Sequence, residues 1–132
     1  MHARRRGASE CPELYNAAEV NLSRERATVQ KYMITLFNLK KGVDPAEYEK
    51  WAREVDVPVV RSLESVKSMR LNRVVGTLDG SDPPYQYMEL IEITDFDKLG
   101  QEAQSEAIGK VAAEFQSRFA ADLVFLFEEQ VI

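Results

Sequence analysis

The sequence predicts an α+β domain in the order β-α-β-β-α-β, with a four-stranded antiparallel sheet and two helices. Three observations predict it. Four short stretches are rich in strand-forming apolar residues, two longer stretches carry apolar residues at helical spacing, and a Gly/Asp/Ser/Pro loop joins the two middle strands.

The first strand is read as Lys31 to Leu39. Tyr32, Ile34 and Leu36 alternate with Met33, Thr35 and Phe37, so both faces are mostly apolar and both are expected to be covered. Lys40-Lys41-Gly42 ends it, with Gly42 free to turn. Asp44-Pro45 then starts a helix: Asp44 is an N-cap, Pro45 suits the first helical position, and Glu47 falls three residues after the cap. Tyr48, Trp51, Ala52, Val55 and Val59 share one face, and Pro58 is expected to end or bend the helix near Val57, with a further turn through Leu63.

The second strand is placed at Val66 to Val75 and the third at Tyr85 to Thr94, with the loop Gly76 to Pro84 between them. Thr94-Asp95 caps a second helix from Phe96 to Phe119, which Gly100 and Gly109 weaken and are expected to break. Ala121 to Val131 is the last strand, with Val124-Phe125-Leu126-Phe127 as its apolar run.

Residues 1–29 differ from the rest: they hold five arginines against four glutamates and no sustained apolar period. They are read as an extension, flexible or partly helical around Glu13 to Val20, and 30–132 as the folded domain.

Composition excludes several classes of function. The 132 residues suit one domain, and 45% hydrophobic with 30% charged residues suits a globular one. A net charge of -5 gives no general attraction to nucleic acid. No apolar run reaches the ~20 residues of a membrane span, and no apolar core follows the basic Met1 to Arg6, so no membrane and a cytoplasmic location are expected. The one cysteine, Cys11, and the one histidine, His2, both lie in the extension. The domain itself therefore lacks Ser-His-Asp, Cys-His and histidine-metal chemistry. Asp79, Gly80 and Asp82 lack the ligand count of a calcium loop, so no metal is expected.

Two βαβ crossovers joined by a hairpin give the ferredoxin-like sandwich. Helices cover one face of its sheet. The other face is apolar as well, and a symmetric partner is the simplest cover; the extension, through Leu14, Tyr15, Val20 and Leu22, is the rival one.

The run Met33-Ile-Thr-Leu-Phe-Asn-Leu-Lys-Lys-Gly-Val-Asp-Pro-Ala-Glu-Tyr-Glu-Lys-Trp51, followed by Arg53-Glu-Val-Asp-Val-Pro-Val-Val-Arg-Ser-Leu63, resembles the dimeric α+β barrel proteins, most closely the REDY-like, HapK-type branch. The resemblance spans about 32–132 and implies a homodimer with a link to bacterial secondary metabolism, in prodigiosin-like or related aromatic pathways. Related barrels include cofactor-free monooxygenases and small cyclases, so the fold leaves the reaction open. Several catalytic relatives use a barrel histidine, and this chain has none.

Polar residues on otherwise apolar strands mark the candidate site. Arg70 and Asn72 alternate on the second strand, Tyr87 and Glu89 on the third, and the four converge if the hairpin register aligns their faces. Glu89 would then act as a base, Arg70 would hold an anionic intermediate, Tyr87 would orient an aromatic substrate, and Asn72 would line the pocket. The competing reading makes Arg70 and Glu89 a cross-strand ion pair and Tyr87 an interface anchor. Trp51, with Tyr48, is a candidate aromatic platform for a ligand, although core packing suits its helical spacing better. Arg53, Glu54 and Asp56, near the end of the first helix, are candidates to flank a pocket mouth, although a solvated helical face suits them better. The expectation is a homodimer that binds or transforms a small aromatic intermediate without a cofactor. A non-catalytic ligand carrier and a cofactor-independent monooxygenase are the alternatives.

Overall fold

The computed structural model describes residues 29–132, and most of the expected extension lies outside them. Strand β1 (Lys31–Leu39) leads into helix α1 (Pro45–Trp51). A π-helical segment, Ala52–Asp56, continues the helix into α2 (Val57–Arg61). Strands β2 (Val66–Arg73) and β3 (Tyr87–Ile93) follow. Helices α3 (Phe96–Glu102) and α4 (Glu106–Glu114) come next, then a second π segment, Phe115–Phe119, and strand β4 (Ala120–Glu129).

The sheet order is β2-β3-β1-β4 with every described pairing antiparallel, as the two crossovers require. The α+β, ferredoxin-like class and the element order stand as expected. Strands β2 and β3 are two residues shorter at the hairpin end than the alternation suggested, because Asn38 ties the loop instead. Its side chain donates to Pro84 O at 3.0 Å and accepts from Gln86 N at 2.9 Å. Within the loop, Asp79 accepts from the Ser81 amide at 3.1 Å and from the Thr77 hydroxyl at 2.9 Å. Its acidic side chain thus serves the turn.

Local chemistry explains the helix starts. Asp44 Oδ1 accepts from Ala46 N at 3.0 Å, and Asp95 Oδ1 accepts from Asp97 N at 2.9 Å. The second helical stretch breaks after Glu102 rather than at a glycine. There the Glu102 carboxylate leaves to accept the Glu64 and Ser65 amides at 2.8 and 3.1 Å, and Ser105 caps a new helix. Pro58 bends rather than ends the first stretch. It has no N–H for the Glu54 carbonyl, and the ladder before it widens so that Val57 N donates to Ala52 O, five residues back.

The helices pack on the sheet face that carries Met33, Thr35 and Phe37. Phe37 is fully buried at its centre, 4.9 Å from the Phe115 ring, 5.4 Å from Tyr87 and 5.5 Å from Tyr48. A second cluster gathers Val66, Met69, Ile91, Ile93 and Leu99. The opposite face carries Leu36, Met88, Leu90, Val124 and Leu126, none of which joins either cluster.

Because Phe37 joins both crossovers through three ring contacts, Phe37→Ala is expected to cost about 3–5 kcal/mol of stability. Phe125→Ala, at a side chain 52% exposed, is expected to cost well under half as much. Urea unfolding of the two variants checks the contrast.

Candidate functional site

Between the sheet and the helices lies a cavity of about 400 Å³, a size typical of small-ligand pockets. Met33, Ile91, Phe96, Leu99, Phe125 and Phe127 supply its apolar walls. Its volume follows from the helix sequence, since Gly100, Ala103 and Ala112 face it with little or no side chain. A Cβ built on Gly100 would meet nothing within 4 Å. Phe125 and Phe127 form an outer wall, 52% and 63% exposed, with the Phe127 ring tilted 41° against that of Phe96 at 4.7 Å.

Among the described residues, three polar side chains reach the chamber: Asp56, Glu89 and Gln116. Glu89 comes from β3, opposite Thr35 on β1 and Leu71 on β2, and is 5% exposed. Asp56 ends the first π segment and is also 5% exposed. The two carboxyls are close enough to hydrogen-bond each other. Burial pushes both up, Glu89 to about 8, where the negative charge of Asp56 adds to the effect, and Asp56 to about 6. Two carboxyls in an apolar wall titrate as a pair, and near neutral pH such a pair holds one proton. The Tyr48 hydroxyl is buried close by, without a hydrogen-bond partner among the described residues; burial first, then the charges of Glu89 and Asp56, push its pKa up.

The register divides the four residues expected to converge. Tyr87 and Glu89 face the helices, paired with Arg73 and Leu71. Arg70 and Asn72 pair with Leu90 and Met88 and point to the other face of the sheet. Arg70 therefore cannot pair with Glu89 or hold an intermediate beside it, and Asn72 does not line the chamber. The reason is the bulge between Val66 and Ser68, which sets even-numbered β2 residues opposite even-numbered β3 residues. Tyr87 has its ring in the Phe37 cluster and its hydroxyl on Glu49 Oε2 at 2.7 Å, so it does not enter the chamber. Trp51 is a core residue, 4.9 Å from the Phe119 ring and parallel to Phe115.

For Asp56 the sequence favours a solvated face over a place at a pocket mouth; the structure buries it in the chamber wall. The widened π turn carries Asp56 and Val60 to the chamber, four residues apart, where α-helical spacing had selected Val55 and Val59. The signal available in the sequence was Pro58, two residues after the acid. Gln116 sits in the second π segment and carried no comparable signal.

The pair has a consequence for stability. A carboxyl whose pKa is higher in the folded state holds protons that the unfolded chain has released, so its contribution to stability is present below the unfolded value and lost as pH rises. For Glu89 this window runs from about 4.5 to about 8. Unfolding free energy is expected to fall across that range, and Glu89→Gln is expected to flatten the fall, as urea midpoints measured at several pH values will show.

The REDY-like protein HapK family model matches residues 31–131. Among solved structures, HapK from Hahella chejuensis is 25% identical, with a TM-score of 0.64 over 76% of this chain and 92% of that one. A dimeric ferredoxin-like protein of unknown function from Thermobifida fusca is 14% identical, with a TM-score of 0.61 over 77% and 92%. A hydroxynitrile lyase from Passiflora edulis is 11% identical, with a TM-score of 0.62 over 77% and 94%. No curated protein matches the chain. A match across the whole sheet-and-helix domain, with the fold that its solved member shares, means that the chain belongs to the REDY-like HapK family.

Proposed function

We propose that this protein is a homodimer that takes a small aromatic molecule into the apolar chamber and moves a proton on it with Glu89 and Asp56, without a cofactor. The observation that carries the reading is a buried carboxyl pair in a wall that, Gln116 apart, is built of Phe, Leu, Ile, Val, Ala and Met side chains and Gly100. Such walls favour flat apolar ligands by removing their surface from water. A pair that holds one proton between about pH 6 and about 8 has one carboxyl able to accept and one able to donate. Glu89 is the base, as the sequence suggested; Asp56 shares its proton, and the anion-holding role expected of Arg70 has no counterpart among the residues lining the chamber. Family membership supports a place in bacterial secondary metabolism, among steps that handle aromatic intermediates.

A homodimer is supported by the apolar residues on the sheet face away from the helices and by structural relatives described as dimeric, from Bacteroides fragilis and Thermobifida fusca. Symmetric packing of that face would cover Leu126, which is 46% exposed.

The chemistry is tested with phenylacetone, an aromatic ketone with acidic C–H bonds, in D₂O. The native protein is expected to speed deuterium uptake beside the carbonyl, and Glu89→Gln and Asp56→Asn are each expected to lower that rate at least ~10²-fold. Binding of phenylacetone with exchange at the buffer rate would overturn the catalytic part and favour a carrier, which the scarcity of polar groups in the chamber also suits. For the dimer, equilibrium sedimentation of the full chain is expected to give twice the 15.0 kDa chain mass. Leu126→Glu is expected to shift that mass towards the monomer.

A further inference from the structure

On the other side of the helix from the chamber runs a second cavity of about 460 Å³, between the Ala52–Arg61 stretch and the edge strand β2. Its polar lining is Arg53, Arg61, Arg73, Glu49 and Tyr87. Among the described residues, three guanidiniums meet one carboxylate there, in a chain whose net charge is -5.

The one carboxylate is fully engaged. Arg73 Nη2 donates to Glu49 Oε1 and Oε2 at 2.8 and 2.6 Å, and the Tyr87 hydroxyl donates to Oε2 at 2.7 Å. Those contacts hold Glu49 below the usual carboxylate range, so it stays charged and cancels Arg73. Arg61 donates through Nη2 to the Met69 carbonyl at 2.8 Å, which fixes the side chain without neutralising it. Arg53 makes no salt bridge to any described residue and adds only a longer-range attraction to Glu49. The groove therefore presents two uncompensated cations with most of their donors unused, and its own acceptor is saturated. A guanidinium fork matches two oxygens of a carboxylate or phosphate.

We propose that this groove is a binding site for a compact oxyanion, a phosphate or carboxylate group borne by a small ligand, held by Arg53 and Arg61. The Arg73–Glu49–Tyr87 network fixes the wall against which that anion sits. The site is separate from the carboxyl-lined chamber, and its success or failure does not depend on the chemistry there.

The test follows the arginine Nε–H signals of the full chain by NMR while inorganic phosphate or acetate is added at constant ionic strength. Saturable shifts are expected at Arg53 and Arg61, with Arg118, which lies outside the groove, unmoved. Arg53→Gln/Arg61→Gln, a change at two exposed side chains, is expected to weaken the binding at least ten-fold. Tighter phosphate binding would point to a phosphorylated ligand, and tighter acetate binding to a carboxylated one. Equal shifts at every arginine, or unchanged binding by the double variant, would overturn the site.

Discussion

The candidate site depends on a backbone constraint at Pro58. A proline inside a helix cannot donate to the carbonyl four residues earlier, and its ring crowds that carbonyl. The chain keeps its helical course by opening one turn ahead of the proline, with Val57 bonded to Ala52. A turn that holds an extra residue advances the inward-facing positions, and Asp56 is the residue it turns inward. On a regular α-helix the acid would already lie about 40° round from buried Ala52, at the edge of the inner face. The wider turn brings it further in, beside Glu89. A local defect in hydrogen bonding thus becomes a chemical feature of the site.

The surrounding packing lets the pair persist. Two carboxyls 5% exposed are costly to ionise together, and retaining a proton relieves the cost. The fold supplies the stability elsewhere, through the rings around Phe37 and the aliphatic cluster around Ile91. Gly100, Ala103 and Ala112 leave space among the larger helical side chains of the chamber, so its volume and its acidic wall arise from different elements. Changes in the size of the helical residues would alter what fits, while the carboxyls on β3 and the π turn would stay in place.

The fold was legible in the sequence because its signals are local and redundant. Alternation in β1, the Asp44-Pro45 start and the Asp95 cap each correspond to an observed feature. The site was legible only in part. Glu89 stood out as a charge on a strand whose alternate residues are Tyr87, Ile91 and Ile93. Arg70 and Asn72 looked equivalent to it because alternation shows which residues share a face of one strand, and says nothing of which face meets the next strand's. That relation is set by a bulge at Val66–Ser68, which a one-residue change of register would reverse. Asp56 was hidden for a related reason: a 3.6-residue period presumes an α-helix, and the residue sits where the helix departs from one.

The shared fold does not choose a reaction. A hydroxynitrile lyase at 11% identity has it, and so do dimeric proteins whose function is unknown. In this chain one helix divides its surroundings. Ala52 to Arg61 turns Asp56 and Val60 to an apolar chamber, and Arg53 and Arg61 to a cationic groove. The two environments call for opposite ligand chemistry: removal from water on one side, and paired oxygens on the other. The proline sets both, because the register of a helix cannot shift on its inner side without shifting on its outer side as well.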